Sequence, residues 1–281
     1  MFSSRFHGHL TLHLRGGLGN QLFQATAASF FADRLRVGVI LDDSAIIRHR
    51  DKSRRTWLRR MDIQRLFNNE KMEWKPFGLS LLSSTLSLPK DGTVELNESD
   101  LLQLYELDRD IHVADWFQKA KYVEAVKPGL YPEDSAEIRN NVNEEIYRIR
   151  NSDGLGAIHI RLGDFRQTQW GVLSGEWYVQ ALRKLIDRRE LRRIDCYSDE
   201  LDAAREILKP LNKKVVIQYP EEKFKLLPHE LLWTLSTYQS LVSSNSSLSW
   251  WASYLNRTKN PLILCDWGDD LFLERWEKFQ L

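Results

Sequence analysis

The sequence predicts an α/β protein made of two parallel-sheet domains, and three observations predict it. Strand-like and helix-like periods alternate through both halves of the chain. The loops richest in glycine, serine and charge each follow a strand directly. The 281 residues are 42% hydrophobic, which suits the cores of two domains of ordinary size and excludes a disordered chain. Strand–helix alternation implies parallel pairing, with helices on both faces of each sheet. The turn Asn151-Ser152-Asp153-Gly154 is the expected boundary, giving domains 1–153 and 154–281. Two such sheets facing a central cleft put a ligand at the carboxyl ends of their strands.

The first half opens with a strand over 9–14 (HLTLHL) and a helix over 20–35, whose Leu22, Phe23, Ala27, Phe30, Phe31 and Leu35 make one broad apolar face. A buried strand over 37–43 ends in Asp42 and Asp43. Residues 44–110 are charged, with short apolar bursts and turn signals at Pro76-Phe77-Gly78 and Pro89-Lys90-Asp91-Gly92, and read as irregular insertions around short strands. A strand end at 111–118, a short helix over 119–127 and a charged helix over 132–150 follow. The second half reads as strands at 156–161, 194–198, 214–218, 240–244 and 262–265. Helices at 176–189, 200–209, 228–238, 246–256 and 269–279 follow these strands in turn.

Charge excludes one class of partner. Lys+Arg 40 against Asp+Glu 39 leaves a net charge of +1, so nucleic acid is not the expected ligand. The surplus is local, in RHRDKSRRTWLRR (48–60). That run reads first as a solvated surface, and second as a patch that attracts an anionic membrane or a lipid-linked acceptor. Cys196 and Cys265 sit in separate apolar strands and read as buried thiols rather than a disulfide. No apolar run approaches a membrane span, so a cytoplasmic protein is expected, with peripheral contact to the inner membrane through 48–60 as the further expectation.

Three loops carry the chemistry. In LRGGLGNQLFQ (14–24), Gly16, Gly17 and Gly19 permit a tight turn at the start of a helix, whose unpaired N–H groups favour an anion. Asp42 and Asp43 follow at about the 20-residue spacing of a ribose-binding acid, which supports a dinucleotide-dependent oxidoreductase. Leu22 stands where that fingerprint wants a small residue. Asn20 and Gln21 offer amides suited to sugar hydroxyls or phosphate. In HIRLGDF (159–165), His159 and Arg161 leave the strand on one face, and Arg161 suits a bidentate grip on a diphosphate. Asp164 either joins that cluster or pairs with Arg161 to hold the loop. In SSNSSLSWWASYLN (243–256), Asn245 is a good N-cap, and Ser246 and Ser247 fall in the first helical turn, a phosphate nest. Trp250 and Trp251 read as core at that spacing.

In combination and in this order, GGLGNQLFQ, HIRLGDF and SSNSSLSWWASYLN resemble the bacterial α-1,2-fucosyltransferase family, related to the α-1,6- and protein O-fucosyltransferases. Weaker matches lie at VADWFQKAKYV (113–123), GVLSGEWYVQAL (171–182) and CYSDE (196–200), while 44–110 match poorly. The resemblance implies a GT-B-like form of the α/β class, two Rossmann-like domains, with an acceptor-side domain first and a GDP-fucose-binding domain second. It implies inverting transfer of fucose from GDP-β-L-fucose to a glycan hydroxyl, as in the 2-OH of a β-galactoside, without a metal. Arg161 takes the pyrophosphate. His159 lies near the nucleotide, and Asp199 meets guanine or its ribose. Ser246 and Ser247 contact phosphate with Asn245 as cap, and Asn20 faces the sugar diphosphate. Asp164 and Asp115 are candidate bases. Two positions depart from the pattern: Leu162 replaces a second arginine, and Leu248 replaces a phenylalanine.

No metal site is expected. Asp108-Arg109-Asp110 mimics the Asp-x-Asp of metal-dependent transferases, a spacing common by chance. Two other classes stand beside the transferase. An oxidoreductase would use the first loop and Asp42, and leaves the other two loops unexplained. A non-catalytic carbohydrate- or GDP-binding protein would use some of the ten tryptophans as sugar platforms, yet has no need of two phosphate-type loops.

Overall fold

A computed structural model describes residues 9–47, 56–75, 111–129, 138–167, 171–223, 225–258 and 262–280. The chain divides into two compact units, 1–136 and 137–281. Residues 48–55 of the basic run, and Asp108-Arg109-Asp110, lie outside the described residues.

Among the described residues, the first unit holds a four-stranded parallel sheet in the order β3-β2-β1-β4. Its strands are β1 (His9–His13), β2 (Gly38–Asp42), β3 (Met72–Trp74) and β4 (Ile111–Val113). Helix α1 (Leu18–Leu35) connects β1 to β2. It is buried on nearly every side, which explains why its alanines and Phe23 and Phe31 pack so closely. The short helices α2 (Ser44–Ile47) and α3 (Ile63–Phe67) follow β2, and α4 (Ala120–Val126) follows β4. An aromatic cluster of Phe30, Phe31, Phe117 and Tyr122 joins α1 to α4, with centroids 5.0–6.3 Å apart.

The second unit is a six-stranded parallel sheet in the order β10-β9-β8-β5-β6-β7. These are β5 (Leu155–Ile160), β6 (Arg193–Ser198), β7 (Val216–Gln218), β8 (Leu241–Ser243), β9 (Ile263–Leu264) and β10 (Glu277–Lys278). Its helices are α5 (Asn140–Arg150), α6 (Gly175–Arg189), α7 (Leu201–Leu208), α8 (Pro228–Thr237) and α9 (Ser247–Leu255). Every residue of β5 is buried, as a strand covered on both faces requires. Ile158, Ile160 and Leu162 pack with Leu182, Leu185 and Ile186 of α6. Each fully buried side chain of this kind contributes about 1.5–3 kcal/mol.

The second compact unit begins at 137 and so takes in α5. Buried charge explains why α5 belongs with the second unit. Arg148 reaches Asp195, buried in β6, at 2.5 Å, and Tyr238 donates to the same carboxylate at 2.8 Å. Arg139 forms a fork on buried Glu230 of α8. Removing one partner of such a pair strands a buried charge, at a cost of about 3–5 kcal/mol.

The helix expected over 269–279 is corrected by the structure. A 3-10 turn at Asp269–Leu271 leads instead to β10, which extends the sheet beside β9. The Glu277 N–H donates to the Leu262 carbonyl at 2.8 Å, and Phe279 to Leu264 at 2.9 Å. Buried Trp276, packed edge-on to Trp250, fixes this path more firmly than the surface pairs Lys184 and Arg188 make with Glu277. Sheet pairing and tryptophan burial thus override a helical period. Cys196 and Cys265 are buried thiols, and burial pushes Cys265 up to about 12. Among the described residues, no helix is long and apolar enough to cross a membrane.

Candidate active site

In the second unit, β8, β5 and β6 are neighbours, so the loops at their carboxyl ends adjoin. They carry the serine turn, Arg161 and Asp199. Arg161 follows the last residue of β5, and two carboxylates hold it. Its Nη2 donates to Asp164 Oδ1 at 2.8 Å, and its Nη1 lies 3.1 Å from Asp199 Oδ2. Asp199 Oδ1 accepts the Leu162 N–H at 3.0 Å, so one side chain ties the ends of β5 and β6. A Cβ at Gly163 would run into the Asp199 carboxylate and push it off its place beside Arg161. Leu162 turns away into the core against α6, as strand alternation predicts. The Arg161 side chain is 32% exposed and Asp164 63%. These pairs therefore aim a guanidinium more than they stabilise the fold.

His159 lies one alternation before Arg161 on β5 and is buried. Its Nδ1 makes a short hydrogen bond with Ser249 Oγ and lies 3.4 Å from Ser244 Oγ. The two hydroxyls are 2.9 Å apart. Burial first, and the Arg161 charge second, lower the imidazole to about 3, so the ring is neutral near pH 7.

The serine turn differs from expectation at one position. Ser246, not Asn245, caps α9, its Oγ accepting the Leu248 N–H at 3.3 Å. Asn245 precedes the cap. Its Nδ2 donates to the Gly171 carbonyl at 3.0 Å, and its Oδ1 is buried without a partner among the described residues. Ser247 is the first helical residue and half-buried. Trp250 and Trp251 are wholly buried, as the helical spacing predicts.

In the first unit, α1 begins at Leu18 and Gly17 is its N-cap. Gly16 has φ +71°, and a Cβ there would lie 2.7 Å from Asn20 Nδ2 and 3.0 Å from the Trp116 ring. Asn20 Oδ1 accepts from Gln118 Nε2 at 2.8 Å. Gln21, by contrast, is a structural clamp. Its Nε2 donates to the Gly16 carbonyl at 2.9 Å, and its Oε1 accepts the Leu58 N–H at 3.1 Å. Asp115 Oδ1 accepts the Trp116 N–H at 2.7 Å. Trp116 is 44% exposed, and Phe117 beside it sits at φ +49° with its ring buried. Gln118 and Trp116 both lie in the 113–123 segment, where the resemblance assigns neither residue a role.

The acids that an oxidoreductase would use on ribose are both engaged inside the fold. Asp43 receives Arg59 through two N–H groups at 2.6 and 3.0 Å. Asp42 receives Lys75 at 2.8 Å and the Ser44 N–H at 2.9 Å, with His13 Nδ1 at 3.3 Å. This structure therefore gives the dinucleotide reading no ribose acid. Burial pushes the Asp42 carboxyl up, and Lys75 and Ser44 outweigh it, leaving it lowered to about 2. Its contribution to stability is thus complete above the ordinary value of 3.8 and is lost as pH falls through 2. Asp42→Asn is expected to flatten the acid limb of stability against pH between about 4 and 2, at a cost of about 2 kcal/mol near neutrality. Chemical unfolding at stepped pH checks this, and an unchanged acid limb would refute it.

Among the described residues, no group of three His, Cys, Asp or Glu side chains could hold a metal ion. A model of the family described as Glycosyl transferase family 11 matches residues 111–280. The O-antigen biosynthesis glycosyltransferase WbnK of Escherichia coli is 24% identical over 283 residues, covering 89% of this chain and 91% of that one. The solved structure of NodZ alpha-1,6-fucosyltransferase soaked with GDP-fucose is similar with a TM-score of 0.51 at 11% identity, over 94% of this chain and 97% of that one. POFUT1 in complex with GDP-fucose gives 0.49 at 11% identity, over 93% and 98%. At such identity the NodZ likeness speaks for the fold, which is GT-B-like.

Proposed function

The chain belongs to glycosyl transferase family 11, and on that premise we propose that it moves fucose from GDP-β-L-fucose to a glycan hydroxyl, the 2-OH of a β-galactoside. The observation that carries this reading is the family match over 111–280, which takes in the Arg161 loop, Asp199 and the serine turn. The similarity to WbnK, an O-antigen biosynthesis glycosyltransferase, and to NodZ, an alpha-1,6-fucosyltransferase soaked with GDP-fucose, supports the acceptor and donor classes.

Unit 137–281 binds the donor in this reading, and the first unit serves the acceptor. Departure of GDP builds negative charge on its β-phosphoryl oxygens. Arg161 meets that charge with the fork donors that Asp164 and Asp199 leave available. The first N–H groups of α9, with the Ser246 and Ser247 hydroxyls, add a helix terminus aimed at phosphate. Asp199 serves the ribose or guanine, and His159 stands by the phosphates. Asn245 holds the turn and keeps Oδ1 as an acceptor. Asn20, oriented by Gln118, meets the sugar diphosphate. Direct displacement with inversion needs at most one base. Asp164 is assigned that role through its second oxygen, with Asp115 as the alternative. No metal is required, because cationic side chains and the helix terminus carry the charge. A basic run at 48–60 suits an acceptor held at an anionic membrane surface.

Calorimetric titration tests the donor class. GDP and GDP-fucose are expected to bind in the presence of a chelator, and NADH not to bind. Binding of NADH alone would overturn the reading. A galactoside acceptor screen then tests the linkage.

A further inference from the structure

We infer that Ser249 and Ser244 fix His159 as the imidazole tautomer protonated on Nε2, making it a neutral N–H donor to an anionic phosphoryl oxygen. The ligand rests on the proposed function, but the tautomer does not.

The argument is a count of hydrogens. Ser244 and Ser249 are wholly buried, and His159 is nearly so. Their three polar atoms form a closed triangle of Nδ1 and two Oγ atoms. Neither hydroxyl has another partner among the described residues. Each hydroxyl brings one hydrogen. If Nδ1 carries a lone pair, Ser249 donates to it and Ser244 donates to Ser249, and every hydrogen has an acceptor. If Nδ1 carries a proton instead, that proton goes to Ser249, Ser249 donates to Ser244, and the Ser244 hydrogen has nowhere to go. A buried donor without an acceptor is disfavoured, so the first arrangement wins. The ring is neutral, because burial and the nearby Arg161 charge both oppose a second proton. Its one proton is therefore on Nε2.

The ligand class follows from what Nε2 then offers. A neutral N–H only donates, and so selects an acceptor oxygen. No group of the described residues bonds Nε2, while Arg161, on the same face of β5, supplies the positive charge that draws an anion. Together they present one charged and one neutral donor, the pattern that suits a phosphoryl group. Ser244 and Ser249 are positioning residues in this arrangement. They reach the ligand only through the ring.

The test reads the tautomer directly. Long-range proton–nitrogen correlation spectra of histidine-labelled protein near neutral pH, assigned with His159→Gln, are expected to show a pyrrole-type Nε2 and a pyridine-type Nδ1. A pyrrole-type Nδ1 in the native protein overturns the inference, and this spectrum decides it even if no variant folds. In Ser249→Ala, the Nδ1-protonated form is expected to appear, and GDP affinity to fall about five- to tenfold, part of the worth of one charge-assisted hydrogen bond. Guanosine affinity should not change. An equal loss for guanosine would reduce Ser249 to a structural role and overturn the phosphoryl assignment. Failure of the native protein to bind GDP would sink the donor reading, while the spectrum would still report on the serine pair.

Discussion

Arg161→Ala is expected to lower turnover with GDP-fucose by roughly a hundred- to a thousandfold, the usual worth of one pre-aimed donor to charge that develops in a transition state. The guanidinium is anchored on Asp164 and Asp199, and Asp199 is itself fixed by the Leu162 N–H. The donor fork is therefore oriented before the ligand arrives. Its loss should leave the fold nearly intact. The side chain is a third exposed, and pairs at such depth contribute only about 0–1 kcal/mol. Arg161→Lys keeps the charge but loses the planar fork, and an intermediate rate is expected. Steady-state kinetics alongside thermal unfolding separate these effects. Near-native turnover in a folded Arg161→Ala protein would remove this residue from the mechanism.

Trp250→Ala should act in the opposite manner, costing about 3–5 kcal/mol of stability, as large core truncations do. The ring is wholly buried. Trp251 lies edge-on at 5.4 Å, Trp276 edge-on at 5.3 Å, and Tyr254 stacks at 5.6 Å. Its Nε1 donates to the Leu271 carbonyl at 2.7 Å, so truncation leaves both a cavity and an orphaned acceptor. The expected result is a lower denaturant midpoint at an unchanged slope, with GDP affinity preserved in the folded protein. Unchanged stability with lost affinity would instead make Trp250 a ligand platform.

The sequence revealed the elements that depend on local period and failed where distant pairing decides. Helix α6 and strands β5 and β6 fall within a residue of expectation, because apolar spacing and burial agree there. The segment 269–279 has a helical pattern, yet β9 and Trp250 recruit it as a strand. At the site, alternation correctly separated Arg161 from Leu162. The serine-rich turn is legible as a helix start, but residue type points to a cap one residue early, because Asn245 is drawn away to Gly171. The clamping role of Gln21 is not legible for a similar reason: an amide at a helix start looks the same in sequence whether it faces a ligand or clamps its own loop. Nothing in the sequence marks Ser249. Its partner His159 is 90 positions away, and no local period encodes that contact.

The strand order of the second unit bears on how the chain reaches this state. β5 is the first strand of that sheet to be synthesised, yet it lies inside it, between β6 and β8. One edge of β5 gains its partner from the next strand in sequence. The other edge waits for β8, some 80 residues later. In that interval a strand that is buried throughout in the finished fold, and apolar except for His159, has an open edge, the geometry that invites pairing with a second chain. Parallel sheets closed by such distant contacts also assemble slowly. The residues that bring Arg161, Asp199 and the serine turn together are therefore the ones that make nascent chains vulnerable to aggregation.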